Sequence, residues 1–133
     1  MKLVHVSGKR KRAIARATLR QGNGRVRINN SLLDIYQPEL YRLKLREPLL
    51  LAGDIATKVD IDVNVFGGGI ASQAEASRLA IAKALVDYTK SERLKETFLK
   101  YDRNLLVADV RRKEPAKPNR HGQARAKRQK SYR

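Results

Sequence analysis

The sequence predicts an α+β fold, a two-layer α/β sandwich with helices packed on one face of a sheet, and an extended basic C-terminal tail. Residues 57–66 alternate apolar and polar side chains, with Val59, Ile61, Val63 and Val65 on one side, which indicates a strand with one buried face. Residues 70–88 repeat apolar side chains at steps of three and four, which is typical of a helix on a sheet. Residues 111–133 contain no Leu, Ile, Val, Met or Phe and cannot build a core.

The N-terminal part of the chain is predicted to form three strands. Residues 2–7 read as a short first strand, and residues 11–20 alternate alanines with larger side chains as a second. Gly22-Asn23-Gly24 predicts a hairpin turn, because Gly and Asn accept positive φ angles. Residues 25–28 return as a third strand, and a turn follows at Asn29-Asn30.

The rest of the chain is predicted to form three helices around the strand at 57–66. Pro38 suits the first turn of a helix over 39–47, and Pro48 is expected to interrupt or kink it. Residues 72–75 have the spacing of a capping box near the start of the helix over 70–88. Ser91 is predicted to cap a short helix over 92–99, and residues 105–108 are predicted to form a last strand or extended segment.

The 133 residues are expected to form a globular RNA-binding domain over residues 1–110 and a tail over residues 111–133. The formal net charge is +17, yet residues 28–109 carry eleven bases and twelve acids. Residues 1–27 hold nine Lys or Arg and no acid, and residues 110–133 hold ten bases and one acid. Charge of one sign concentrated at both ends predicts a polyanionic partner that binds through its phosphates.

Composition excludes several other classes of protein. The chain has no Cys and two His, so thiolate metal sites, disulfides and Cys nucleophiles are excluded and a His-rich metal centre is not expected. No apolar run is long enough for a membrane span, and the N-terminus lacks the apolar block of a signal peptide. We therefore expect a cytoplasmic protein without a membrane partner.

The first candidate site is the run Lys9-Arg10-Lys11-Arg12, which is followed by further bases at positions 16, 20, 25 and 27. It can clamp phosphate, or it can be a solvated sheet edge, since Lys on an edge strand deters aggregation. Because no acid lies nearby in the sequence, we favour phosphate binding.

The second candidate site is Gly67-Gly68-Gly69, between a strand and a helix. The run could cradle phosphate at a helix N-terminus, let an RNA backbone approach closely, or simply form a tight turn. It matches neither a Walker motif nor GxGxxG. The sequence leaves all three interpretations of the glycine run open.

The third candidate site is the tail, where bases alternate with Ala, Gln, Asn and Gly and no acid follows Glu114. A targeting signal or a solvated tail is the alternative to RNA binding, which we favour because basic arms fold on RNA and Tyr132 offers a stacking ring. Asp60 and Asp62 could bind a metal, but we expect them to form a solvated strand face because no third ligand is adjacent in the sequence.

The glycine run and the helix after it resemble the family of the ninth protein of the small ribosomal subunit. The shared residues are Gly67-Gly68-Gly69, Ser72-Gln73, Ala76, Ala80 and Ala82-Lys83-Ala84-Leu85. Residues 8–16, the Arg46-Glu47-Pro48-Leu49 segment and the Ser131-Tyr132-Arg133 ending also resemble that family, so the likeness covers essentially the whole chain. The ending resembles the archaeal and eukaryotic branch, and the compact length favours an archaeal source.

The resemblance implies a structural, non-enzymatic protein of the small subunit that is ribosome-bound in the cytoplasm, needs no cofactor and holds no metal. Its implied fold is the sandwich of the second domain of the fifth small-subunit protein. The implied partners are the 3′ major domain of the ribosomal RNA (rRNA), neighbouring head proteins and, at the tip of the tail, the anticodon stem-loop of the peptidyl-site tRNA. An RNA-processing or phosphoryl-transfer enzyme on the same fold is the alternative, with Asp60 and Asp62 as its available acids.

Residues and resemblance together define the expected sites. The residues expected to bind rRNA are Lys9, Arg10, Lys11, Arg12, Arg16, Arg25, Gly67, Gly68, Gly69, Gln73, Lys83, Arg111, Arg112, Lys113, Lys117, Arg120, Arg125 and Lys127. The residues expected to bind tRNA are Arg128, Lys130, Ser131, Tyr132 and Arg133.

Overall fold

The computed structural model describes residues 2–125, in which one five-stranded sheet carries three α-helices. The strands are β1 (Leu3–Arg10), β2 (Ala13–Gln21), β3 (Val26–Ile28), β4 (Ser31–Leu32) and β5 (Val59–Phe66). The helices are α1 (Glu39–Ala52), α2 (Ile70–Thr89) and α3 (Glu92–Tyr101), with 3-10 turns at Leu33–Ile35, Gly53–Lys58 and Arg103–Leu105.

The sheet has the strand order β1-β2-β5-β3-β4. Its neighbouring strands are antiparallel except for β3 and β5, which run parallel. The chain leaves the sheet after β4, forms α1 and returns as β5 between β2 and β3, which leaves the helices on one face. This arrangement confirms the predicted mixed α/β sandwich.

Small side chains allow α2 to approach the sheet closely. Ala13, Ala15 and Ala17 of β2 are fully buried and so are Ala76 and Ala80 of α2. Gly8 of β1 lies under the helix, where a Cβ atom would come within 2.4 Å of the Ala76 carbonyl oxygen. The backbone of α2 thus lies against the backbone of β1 at Gly8, and the alanines of β2 keep the helix close to the sheet.

The expected interruption at Pro48 and the expected capping box are wrong. Pro48 does not interrupt its helix, because α1 continues to Ala52 with Pro48 buried against the core. Tertiary packing offsets the backbone hydrogen bond that a proline removes from a helix interior. The capping box at residues 72–75 does not form either, because α2 already begins at Ile70 and its N-cap is Gly69, without a side-chain cap.

Three expectations about strands are also corrected. Residues 22–24 form no hairpin turn, because β5 lies between β2 and β3 and pairs with both. The second strand begins at Ala13, because Lys11 has φ 54° and forms the β1–β2 turn with Arg12. Residues 105–108 form no strand, because Leu105 ends the last 3-10 turn and its side chain is fully buried. A short apolar run can fill a core from a turn as well as from a strand, and periodicity does not separate the two.

The remaining described residues, 111–125, form neither a helix nor a strand. None of the helices in the described part of the chain combines the length and apolar character that a membrane span requires.

Candidate RNA interface

Three basic or glycine-rich segments that are distant in the sequence meet at one end of α2. The β1–β2 turn contributes Lys11 and Arg12, the β5–α2 loop contributes Gly68 and Gly69, and the chain after α3 contributes basic residues 111–113. With Arg10 and Ser72 they line a depression of about 850 Å³, which we call the basic depression. Among residues 2–125, no acidic residue lines it.

The glycine loop is in backbone contact with the β1–β2 turn. Gly67 has φ +78°, and a Cβ atom there would lie 2.6 Å from the Arg12 carbonyl oxygen. Gly68 has φ +64°, and its Cβ would lie 3.1 Å from the Ala13 backbone nitrogen. Gly69 differs from both, since its φ is −106° and a Cβ there would meet nothing within 4 Å.

The first turn of α2 faces the basic depression without a side-chain cap. Gln73 does not cap the helix, because its Nε2 donates a hydrogen bond to the Gly67 carbonyl oxygen at 3.0 Å and holds the glycine loop. The first amides of a helix and its dipole attract anions, and this helix is 20 residues long. Phosphate is therefore favoured at this end of the molecule.

Arg10 has surroundings different from those of the other predicted RNA-binding bases. Its side chain is only 14% exposed, its Nε donates to the Glu75 carboxylate at 2.6 Å, and its Nη1 lies 3.0 Å from Asp109. These ion pairs join the end of β1 to α2 and to the segment that leads into the tail. Arg10 thus holds the start of the tail on the folded body.

Asp109 also binds Arg111, the first basic residue of the tail. The guanidinium and the backbone N–H of Arg111 donate to the Asp109 carboxylate and lower its pKa to about 2. The Arg112 side chain donates to the carbonyl oxygens of Asp109 and Arg111. These contacts hold residues 111 and 112 beside the β1–β2 turn, where both remain exposed.

A second ion-pair cluster was not anticipated from the sequence. The Arg78 side chain on α2 is only 12% exposed, and its guanidinium donates to Glu47 of α1 and to Asp102 after α3. It links all three helices. Arg78 follows Glu75 by three residues, so both lie on one side of α2, and this spacing is a sequence signal that Arg78 takes part in ion pairs. Only the tertiary structure shows which acids are its partners.

Arg16, Arg25 and Lys83 lie away from the basic depression. Arg16 is exposed on the face of the sheet opposite the helices. Arg25 is exposed at the start of β3, where its backbone N–H donates to Asp60. Lys83 lies on α2, where its Nζ is 3.4 Å from the Ser7 carbonyl oxygen. Its position along α2 is about 20 Å from the first turn of the helix.

The described part of the tail folds back locally around Glu114. The Glu114 carboxylate accepts from Lys117 at 3.0 Å and from Arg125 at 2.9 Å, and these bonds lower its pKa. Arg120 is exposed at the tip of this loop. Lys127, Arg128, Lys130, Ser131, Tyr132 and Arg133 lie outside the described residues.

Asp60 and Asp62 are occupied by contacts within the sheet rather than being simply solvated. Asp60 accepts from the backbone N–H groups of Asn23 and Arg25, which lowers its pKa, and Asp62 pairs with Arg27 and Arg20. Among residues 2–125, no group of three or more His, Asp or Glu side chains is placed to hold a metal ion.

Comparison with known proteins is consistent over the whole chain. Residues 8–133 match the family model for ribosomal protein S9/S16. The chain is 52% identical to the small ribosomal subunit protein uS9 of Methanococcus maripaludis strain C7 and to that of Methanococcus vannielii, each over 134 residues and the full length of both chains. These relatives are archaeal, which agrees with the source expected from the ending and the compact length together.

The family match confirms the resemblance seen in the glycine run and α2 and sets aside the enzymatic alternative. The chain therefore belongs to the ribosomal protein S9/S16 family and is a structural, RNA-binding protein of the small ribosomal subunit, ribosome-bound in the cytoplasm, and not an enzyme.

Proposed function

We propose that the basic depression binds the phosphate backbone of small-subunit rRNA. The observation that carries this proposal is the convergence of Lys11, Arg12 and Lys113 around an uncapped helix N-terminus, with no acid among the described residues that line the depression. The fold brings together charges that lie a hundred positions apart in the sequence. Such a cluster repels itself, and a polyanion relieves that repulsion.

The parts of the depression have different roles in this proposal. Lys11, Arg12 and Lys113 are exposed and provide charge, while the amides of the first turn of α2 provide directed donors. Gly69 keeps a side chain out of the space that a sugar–phosphate backbone would occupy, while Gly68 lets the loop lie against Ala13. Arg10 acts as a positioning residue through its ion pairs with Glu75 and Asp109.

The double substitution Lys11→Gln with Arg12→Gln is expected to reduce the salt dependence of rRNA binding. Each phosphate contact contributes about 0.7–0.9 to the slope of log K against log salt concentration, so the slope should become shallower by about 1.5. The measurement is binding of a labelled transcript of the 3′ major domain between low and moderate salt.

The matched control removes the same charge from α3 through Lys95→Gln with Lys100→Gln, two exposed positions that do not line the depression. It should leave the slope near that of the unchanged protein. An equal loss of slope in both variants would show that only total charge matters, which contradicts the proposed site.

We further propose that residues 111–133 work as a separate tail beyond a body of residues 1–110, with Arg128, Lys130 and residues 131–133 reaching the peptidyl-site tRNA. The family resemblance at Ser131-Tyr132-Arg133 and bases that continue to the last residue support this role. Residues 114–133 can span about 70 Å when fully extended. The Asp109–Arg111 pair gives such a tail a fixed starting point.

Deleting Ser131–Arg133 is expected to leave folding and incorporation into the small subunit unchanged but to weaken tRNA retention. The loss of one or two charge-assisted phosphate contacts corresponds to about 1–2 kcal/mol, or roughly five- to thirtyfold faster dissociation. The measurement is tRNA dissociation from small subunits that carry the full-length or the shortened chain at equal occupancy. Equal dissociation rates would leave the tail as an rRNA anchor only.

A further inference from the structure

One face of the sheet is left uncovered by the described part of the chain. The helices pack on the face formed by Val65 and its buried neighbours, and on the opposite face Arg16 and Asn64 are exposed. Phe66 lies on the same open face and is 49% exposed. Since Val65 already fills the core position at the end of β5, the fold does not need an aromatic ring at residue 66.

Arg16 accompanies the ring of Phe66 on this surface. Its guanidinium carbon lies 5.3 Å from the ring centre, a cation–π distance. Across the sheet Phe66 is in register with Ile14, and Ile14 with Lys9, which places Lys9 two strands and about 10 Å away. An exposed aromatic ring therefore lies beside two exposed basic side chains, both on the β1–β2 side of β5.

The acidic residues of this face do not neutralise the basic side chains of Arg16 and Lys9. Asp62 lies 2.8 Å from Arg27 and 3.4 Å from Arg20, and Asp60 accepts two backbone N–H groups at 3.0 Å. Neither Arg16 nor Lys9 makes an ion pair within residues 2–125. The part of the open face around Phe66 is therefore positively charged, and its complement is an anion with flat aromatic groups.

We propose that an unpaired RNA base stacks on Phe66, with its neighbouring phosphates on Arg16 and Lys9. This inference rests on the proposed RNA-binding function and adds a second contact surface, separate from the basic depression. The base must be unpaired, because a base within a helix has both faces covered by its neighbours. An apolar protein surface fits less well, since it would bury Arg16 without an acid.

The chain has no Trp, so Phe66→Trp places a single fluorescent reporter on this face. Stacking of a base quenches indole fluorescence, and we expect emission to fall by at least half when a 12-nucleotide single-stranded oligouridylate saturates the protein. The matched control is Tyr101→Trp, at a 55% exposed aromatic position on α3, whose emission should change little. Fluorescence anisotropy of labelled RNA measures binding itself in both variants.

A second variant, Phe66→Ala, should bind the single strand at least fivefold less tightly and bind a duplex of equal charge normally. Thermal melts of each variant check that it is folded. Normal RNA affinity together with an unquenched Phe66→Trp reporter would overturn this proposal and leave a protein as the occupant of the open face. Failure of the unchanged protein to bind any RNA would instead overturn the proposed function, and this inference with it.

Discussion

Replacing Gly8 with Ala is expected to destabilise the protein by about 3 kcal/mol, because the added methyl group would overpack the contact between β1 and α2. The new Cβ would lie 2.4 Å from the Ala76 carbonyl oxygen and 2.9 Å from the Ala80 backbone nitrogen. Both are backbone atoms within a 20-residue helix and cannot move aside as a side chain can. The helix must therefore shift away from the sheet and lose part of its buried contact.

Thermal unfolding followed by circular dichroism measures this effect, and a loss of about 3 kcal/mol corresponds to a melting temperature lower by roughly 10 °C in a domain of this size. The matched control is Ser7→Ala, one residue earlier on the exposed face of β1. It should change stability by no more than about 0.5 kcal/mol. A Gly8→Ala protein within 1 kcal/mol of the unchanged chain would show, in contradiction, that helix and sheet are less closely packed than the backbone indicates.

Replacing Gly67 with Ala is expected to cost about 2–4 kcal/mol. Its φ of +78° is strained for a residue with a Cβ, and that atom would lie 2.6 Å from the Arg12 carbonyl oxygen. The two strains add because relief of one requires the loop to move into the β1–β2 turn. We expect the variant to lose RNA affinity as well, since the loop and the turn line the same depression.

Gly69→Ala separates the role of the glycine run in folding from its role in binding. Since no atom lies within 4 Å of the added Cβ and φ is −106°, the stability should fall by about 1 kcal/mol at most, the difference between Gly and Ala at an N-cap. We expect rRNA affinity to fall at least fivefold, because the methyl group would enter the space proposed for the RNA backbone. Unchanged affinity would identify residues 67–69 as a turn only.

Regular periodicity made much of the sheet and the long helix predictable. β5 spans Val59–Phe66 and α2 begins at Ile70, close to the predicted bounds, because strict alternation and a glycine run are local signals. Local reasoning failed at Pro48. Local propensity favours a helix break at a proline, but burial of Pro48 against the core keeps the helix continuous. The strand predicted at residues 105–108 was wrong for a related reason. Four apolar residues in a row do not show whether they enter the core from a strand or from a turn.

The candidate site was only partly predictable for a different reason. Charge and composition are properties of the sequence, so the basic ends and the glycine run could be recognised before any folding was considered. The partner of each charge is not a local property. In the sequence, Arg10 cannot be distinguished from its basic neighbours, yet in the structure it pairs with Glu75 and Asp109. Arg78 likewise finds its partners, Glu47 and Asp102, only where the three helices meet.

The sequence by itself determined the class of this protein, its polyanionic partner and most of its strands and helices, because hydrophobic period and net charge act over a few residues or over the whole chain. The tertiary structure decided which glycines are sterically required, which basic side chains make ion pairs within residues 2–125 and that Phe66 lies on an open face. These properties depend on contacts between residues far apart in the chain, and only folding brings those residues together.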